Sequence, residues 1–358
     1  MRLTLVAGAR PNFMKIAPII HALENSSNDI SYRLIHTGQH YDDNLSKSFF
    51  RDLNIPQPNV NLGVGSGSQA LQTGNIMIKF EEELVNNPCD YVLVVGDVNS
   101  TVACALVAKK LNTKVIHVEA GLRSYDLRMP EEINRIATDA LADVFFTTTP
   151  EAGYNLVAKG AAGDKIFFVG NTMIDSLISN LDRLERPKIL DEREIANEQF
   201  LVMTLHRPSN VDEEKKLKEI LELLDTSSQQ PIIFPVHPRT RQILKNLQAN
   251  LTNIVFTEPL RYLEFMYLIK HSLGVVTDSG GIQEETTYLG KPCMTLRENT
   301  ERPETIELGT NVLLGFNKQH ISEAFDKLQS GNWKTGTIPA LWDGKASTRI
   351  VNHLEKLG

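Results

Sequence analysis

Short apolar runs alternate with amphipathic runs along this whole chain, and that alternation leaves few folds open. The apolar runs are too short for helices, and the stretches between them repeat apolar residues every three or four positions. Strand, helix, strand in succession is the mark of βαβ units and a parallel sheet. In the first half the strand candidates are Leu3–Ala7, Tyr32–His36, Tyr91–Val95, Val115–Val118, Val144–Thr147 and Ile166–Val169. Helices are expected over Met14–Leu23, Thr73–Leu84, Thr101–Lys110, Glu131–Leu141 and Ala152–Lys159.

The rhythm breaks over Asn171–Phe200, where Arg186-Pro187 and many charges read as a linker with one helix. A second series follows, with strands at Leu201–Thr204, Ile232–Val236, Ile254–Phe256, Gly274–Thr277, Cys293–Leu296 and Asn311–Leu314. Its helices are Glu213–Leu224, Thr240–Leu247, Tyr262–His271 and Ile282–Tyr288. The expected architecture is α/β, two Rossmann-like domains facing a central cleft: residues 1–170, residues 171–345, and a final helix over 346–358 whose return to the first domain is expected by analogy alone. A length of 358 residues suits two domains of roughly 150 each.

A net charge of −7 argues against a general nucleic-acid or anionic-membrane surface. No apolar run is long enough for a membrane span, and the N-terminal run is too short for the apolar region of a signal peptide. Cys89, Cys104 and Cys293 are widely spaced and odd in number, which fits reduced thiols in the cytoplasm. All three read as packing residues.

The chemistry concentrates in Tyr91–Ala142. Asp97 ends one strand, Glu119 ends the next, and Glu131 follows Pro130 at a helix start. In an open α/β sheet these positions line the crevice where ligands bind. Three acids there point to proton transfer, and their spacing is unlike that of a structural ion-pair network.

Other loops fit a nucleotide. After the first strand, Gly8-Ala9-Arg10-Pro11-Asn12-Phe13-Met14-Lys15 opens a helix, whose N–H groups with Arg10 and Lys15 suit a phosphate. A solvated strand-to-helix loop is the competing reading. Thr277-Asp278-Ser279-Gly280-Gly281 is a strand end, two glycines and a helix start, a geometry that cradles a diphosphate; Glu285, about one turn in, suits ribose hydroxyls. The plain alternative is a glycine turn with Ser279 as helix cap. His206 and His237 each follow a strand and are each followed within two residues by arginine. Arg302 lies in a polar loop as a surface charge or a diphosphate ligand, and Gly63–Gly67 is a lid or a linker. There is neither an HExxH zinc pattern nor a GxGxxG nicotinamide fingerprint.

With these residues in place, the chain resembles the non-hydrolysing UDP-N-acetylglucosamine 2-epimerases from Gly8 to about Gly315. The stretches that carry the resemblance are GARPNFMKIAP, TGQHYDD, GDVNSTVA, HVEAGLRS, MPEEINR, GNTMIDSL, HRPSNVD, PVHPRT, TDSGGIQEE and TERPETIELGTNVLLG, in that order. The resemblance implies a fold like that of GT-B glycosyltransferases, a homodimer, and no metal or nicotinamide cofactor. It implies Asp97, Glu119, Glu131 and His206 as catalytic groups and His237 as a second histidine of the site. Arg10, Lys15, Ser279, Gly280, Gly281 and Arg302 then hold the diphosphate, Glu285 the ribose, and Leu260 and Phe265 the uracil. The implied reaction eliminates UDP to a 2-acetamidoglucal and re-adds it with C2 inverted, and the product feeds surface polysaccharides.

Two departures qualify the resemblance. Stretches that form a second, activating substrate site in many members read here Gln39-His40-Tyr41-Asp42, Ser68-Gln69-Ala70-Leu71 and His206-Arg207-Pro208-Ser209, so substrate activation is expected to be weak or absent. The HR-x-x-N pattern also occurs in epimerases of UDP-2,3-diacetamido-2,3-dideoxyglucuronate; Arg302 and Glu304 in TERPE favour the simpler sugar. The competing classes are a hydrolysing epimerase, a GT-B glycosyltransferase and a silent UDP-sugar-binding regulator. The complete acid set weighs against the last two.

Overall fold

The computed structural model describes residues 1–26, 29–38, 50–211, 213–236, 241, 243–244 and 250–357. The chain forms two units: residues 1–179 with 340–358, and residues 180–339.

Among the described residues the first unit is built on seven strands, β1 Arg2–Ala7, β2 Ser31–His36, β3 Val60–Asn61, β4 Tyr91–Val95, β5 Lys114–Val118, β6 Val144–Thr147 and β7 Ile166–Phe168. They lie in the order β3-β2-β1-β4-β5-β6-β7, and every pairing is parallel. All of β4 is buried, and it reads as a continuous apolar run because helices cover both faces of a parallel sheet. The helix Gln69–Asn86 buries Ile76, Phe80 and Leu84, one residue per turn, in a core with Val6, Ile35, Val92 and Val94. Truncating Phe80 to alanine there would cost about 3–5 kcal/mol.

The second unit has β8 Leu201–Thr204, β9 Ile232–Pro235, β10 Ile254–Thr257, β11 Gly274–Thr277, β12 Cys293–Thr295 and β13 Asn311–Leu313, ordered β10-β9-β8-β11-β12-β13 and again all parallel. Its core joins Met203, Phe234 and Val276 of the sheet to Leu217, Leu221 and Leu224 of the helix Glu214–Ser227 and to Ile321, Phe325 and Leu328 of Lys318–Gln329.

Both sheets therefore carry the Rossmann order, in which the strand sequence reverses beside the first strand. The reversal falls between β1 and β4 in one unit and between β8 and β11 in the other. Loops after these strands are the places where such sheets take ligands.

Three expectations need correction. Asn171–Phe200 is not a linker with one helix: it contains the helices Thr172–Asn180 and Lys188–Glu192, and the first is buried through Ile174 and Leu177. The units accordingly divide after Ser179 rather than at residue 170, and the return to the first unit begins at Ala340 rather than at 346. Asp175 holds that return, accepting the N–H groups of Ala346 (3.2 Å) and Ser347 (2.7 Å) at the start of the helix Ala346–Glu355. The charges of this stretch divide: Asp175 caps and Arg186 pairs with Asp191, while Lys188, Glu192, Arg193 and Glu194 are exposed. The third correction is an omission, since Val60–Asn61, Lys318–Gln329 and the short helix Glu304–Glu307 were not expected. The expected helix Thr240–Leu247 lies largely outside the described residues.

Candidate active site

In the first unit, the loops after β1, β4 and β5 bring Lys15, Gly96 and Glu119 together. Lys15 Nζ lies 2.7 Å from each carboxylate oxygen of Glu119, and both side chains are buried. Gly96 has φ +65°, and a Cβ there would stand 2.9 Å from Lys15 Nζ, so this position requires glycine. Glu119 itself has φ +66°, a left-handed conformation that is costly for a residue with a side chain. Flanking sheet bonds hold it: Gly96 N donates to Val118 O at 3.0 Å, and Ala120 N to Phe146 O at 3.1 Å.

Asp97, one residue after Gly96, pairs with Arg135 of the helix Pro130–Leu141. Arg135 is only 1% exposed and also binds Glu132 Oε2 at 2.7 Å. Asn134, its neighbour, donates to the Asp97 carbonyl at 2.9 Å. Glu131 opens the same helix, about one turn from these contacts, and has no hydrogen bond or ion pair among the described residues. Two of the three acids are thus ion-paired to buried cations, against the expectation drawn from their spacing. The pairs form across large sequence separations that spacing does not report.

Behind this group His117 is fully buried, with Nδ1 2.7 Å from Asp139 Oδ1 and Nε2 2.9 Å from Gly96 O. Arg123 lies 2.6 Å from Asp139 Oδ2. Burial alone would raise the Asp139 pKa; the His117 bond and charge, with Arg123, outweigh it and hold the carboxyl below its usual range.

The loop after β1 differs from expectation. Asn12 Oδ1 accepts from Gly8 N (3.1 Å) and Ala9 N (3.0 Å), so these two amides are spent inside the protein. Arg10 stays half-buried at the start of its helix.

In the second unit, His206 and Asp278 leave the neighbouring strands β8 and β11. Asp278 is fully buried and His206 is exposed; His206 Nδ1 lies 2.7 Å from Asp278 Oδ1. Burial pushes the Asp278 pKa up, but the His206 bond and charge and two backbone amides bring it below the ordinary range. Ser279 occupies the cap position of the helix Gly280–Leu289, yet its hydroxyl makes no capping bond. A Cβ on Gly280 would meet Arg302 Nη1 at 2.5 Å, so the glycine lets this guanidinium lie against the turn. Arg302 is buried against Glu284 (2.8 Å) and Glu301, and Arg297 completes the cluster at 2.6 Å from Glu301. Glu285 is buried beside them, and Oε1 has no hydrogen-bond partner among the described residues. Burial, then the Glu284 charge, pushes its pKa up to about 8. Leu260 and Phe265 are half-buried before and on the helix Tyr262–His271. His237 lies outside the described residues, as does Gln39-His40-Tyr41-Asp42.

Asp278, Arg135, Asn12 and Arg297 are parts of these groups that the sequence reading left without a role. The only available signal was position: Asp278 adjoins the glycine turn, and Arg135 lies four residues after Glu131.

A family profile described as UDP-N-acetylglucosamine 2-epimerase matches residues 21–355. A UDP-N-acetylglucosamine 2-epimerase of Methanocaldococcus jannaschii is 43% identical, over 99% of this chain and 99% of its own. The crystal structure of a UDP-N-acetylglucosamine 2-epimerase from that organism, in complex with UDP-N-acetylglucosamine and UDP, superposes with a TM-score of 0.90 over 100% of both chains. A UDP-2,3-diacetamido-2,3-dideoxy-D-glucuronate 2-epimerase of Pseudomonas aeruginosa is 38% identical over 100% of both chains. A lipopolysaccharide outer core galactosyltransferase shares the fold alone, at 14% identity and a TM-score of 0.55. Two Rossmann-ordered sheets with acids after one set of strands and a glycine turn after the other define a protein of nucleotide-sugar type. The chain belongs to the UDP-N-acetylglucosamine 2-epimerase family.

Proposed function

We propose that this protein interconverts UDP-N-acetylglucosamine and UDP-N-acetylmannosamine. A base removes the C2 proton as the C1–O bond to UDP breaks, giving 2-acetamidoglucal and UDP. Re-addition of UDP at C1, with protonation of C2 from the opposite face, inverts C2. Such a sequence needs at least two acid/base settings. The observation that carries the reading is that Asp97, Glu119 and Glu131 have three different environments: Asp97 against Arg135, Glu119 against Lys15, and Glu131 at a helix start. Two of the acids face buried cations, and Glu131 is the one with no ion-pair partner among the described residues.

We assign the diphosphate to the Ser279, Gly280 and Gly281 turn with Arg302 and Arg10, the ribose to Glu285, the uracil to Leu260 and Phe265, and His206 and His237 to the reacting end. Lys15 is assigned to Glu119 instead of the diphosphate, because its ammonium already faces that carboxylate. The Pseudomonas relative performs a 2-epimerisation on a sugar with an added carboxylate and a second acetamido group. A 2-epimerisation is common to both names, so the two sugars are separated by rate.

Two further assignments follow. Leu71, Ile78 and Val85 are exposed at seven-residue spacing on the helix Gln69–Asn86, which supports a homodimer. No helix among the described residues is long and apolar enough to cross a membrane, and the cysteines are free thiols, which supports a cytoplasmic protein.

The test is proton NMR of UDP-N-acetylglucosamine with the protein in D2O. Growth of UDP-N-acetylmannosamine signals, with deuterium entering C2, is expected. Tight UDP binding with no exchange would overturn the reading, and faster exchange with the diacetamido glucuronate would move it to that substrate.

A further inference from the structure

We propose that Asp278 is a positioning residue for the reaction, fixing His206 by its Nδ1 edge so that Nε2 is the nitrogen presented to substrate. The inference rests on the role assigned to His206 above and adds how that role is set.

Strand pairing creates the juxtaposition. Thr204 on β8 stands opposite Thr277 on β11, their hydroxyls are 2.7 Å apart, and Asp278 N donates to Thr204 O at 3.3 Å. His206 and Asp278 follow within two residues, at the point of the sheet where the strand order reverses. The carboxylate is saturated by donors from one segment. His206 N reaches Oδ1 (3.2 Å) and Oδ2 (3.1 Å), Arg207 N and Asn210 Nδ2 reach Oδ2 (3.0 and 2.9 Å), and His206 Nδ1 lies 2.7 Å from Oδ1. Arg207 Nε closes the loop on the Asp278 carbonyl at 3.0 Å.

An ionised carboxylate only accepts hydrogen bonds, so Nδ1 must carry the hydrogen whether the ring is neutral or charged. Nε2 is then a lone pair in the neutral ring and a donor in the charged one. The histidine side chain is 60% exposed while Asp278 is at 0%, so the paired edge is the inner one. Asp278 also immediately precedes Ser279-Gly280-Gly281, so one carboxylate ties the histidine to the turn assigned to the departing diphosphate. Proton delivery to the oxygen that leaves C1, or charge stabilisation there, needs that registration.

The test begins with the intact wild-type chain. Nitrogen-15 NMR of the histidine rings, with His206 assigned by loss of its signals in His206→Asn, should show the Nδ1–H tautomer when the ring is neutral. An Nε2–H tautomer overturns the proposal without any variant at position 278. In Asp278→Asn the carboxamide can turn its NH2 to the ring, so the tautomer should switch. With it kcat should fall about 10²-fold or more while KM and UDP affinity change less than about threefold. A purely structural clamp predicts lost stability and parallel loss of UDP affinity with no tautomer switch, and that result overturns the proposal. Adding Asp278→Asn to His206→Asn should cost no further turnover; independent, multiplying losses overturn it. Absence of C2 exchange by the wild type would instead fail the epimerase reading and leave the tautomer result standing.

Discussion

Lys15 Nζ sits 2.7 Å from both carboxylate oxygens of Glu119, and the two side chains are buried together after β1 and β5. Residues 104 positions apart thus form one charge pair at the point where the first sheet reverses its order. Removing the lysine strands a buried carboxylate, which is expensive even where the intact pair is worth little. Lys15→Met should therefore cost about 3–5 kcal/mol, and Lys15→Met with Glu119→Gln should recover much of it. Urea denaturation of the two variants and of Glu119→Gln decides this. Additive losses in the double variant would mean that the pair is not coupled.

Glu131 should behave in the opposite way. Its side chain has no partner among the described residues, so Glu131→Gln should change stability by no more than about 0.5 kcal/mol. Turnover should nevertheless fall by about 10²-fold or more, since an amide can neither give nor take the proton. Asp97→Asn removes a charge from the buried Arg135 and should lower both stability and turnover. Thermal unfolding alongside C2 deuterium exchange checks the contrast. A Glu131→Gln protein that is clearly destabilised, or that keeps its activity, would sink it.

These expectations show what was legible from the chain. Period and punctuation give the strands: Tyr91–Val95 and Val144–Thr147 fall where the apolar runs predict. The two-residue strand Val60–Asn61 is too short to leave a period, and its pairing to Ile35 and His36 is made by tertiary contact. The helix Lys318–Gln329 is a different case, because its stripe Ile321, Ala324, Phe325 and Leu328 is readable and the expectation above passes over it. At the site, the positions of Asp97, Glu119 and Glu131 follow from strand ends and helix starts. The partners of Asp97 and Glu119 do not, because Arg135 and Lys15 meet them through folding, as Asp278 meets His206. The amides of Gly8 and Ala9 carry the same lesson: a glycine loop before a helix fits a phosphate until Asn12 fills it from within.

Kinetics should show no activation by substrate. At the start of the helix Gln69–Asn86 Ser68 caps through Leu71 N at 3.3 Å, and Gln69 Oε1 accepts from Asn99 Nδ2 at 2.7 Å. In the stretch Ser68-Gln69-Ala70-Leu71 the serine is thus a helix cap, and the glutamine side chain is already engaged within its own unit. Initial rates with UDP-N-acetylmannosamine should follow a hyperbola. A sigmoidal curve that turns hyperbolic on adding trace UDP-N-acetylglucosamine would refute this.

Glu285 makes the most direct link between pH and stability. Its carboxyl is raised from 4.5 to about 8 by burial and then by the charge of Glu284. In that interval the folded chain keeps a proton that the unfolded chain releases. The stabilising contribution is therefore complete below about pH 4.5 and declines as pH rises towards 8, by an amount on the order of a few kcal/mol. Glu285→Gln holds a neutral side chain at every pH and should flatten this part of the profile. Unfolding free energies of both proteins at several pH values between 5 and 8.5, subtracted pairwise, isolate this group from the other titrating residues, on the order of one half-unit step at a time. The difference should change steadily, with the wild type losing ground to the variant as pH rises. A difference that stays constant would mean that Glu285 is ionised throughout, and that a cation close to it outweighs its burial.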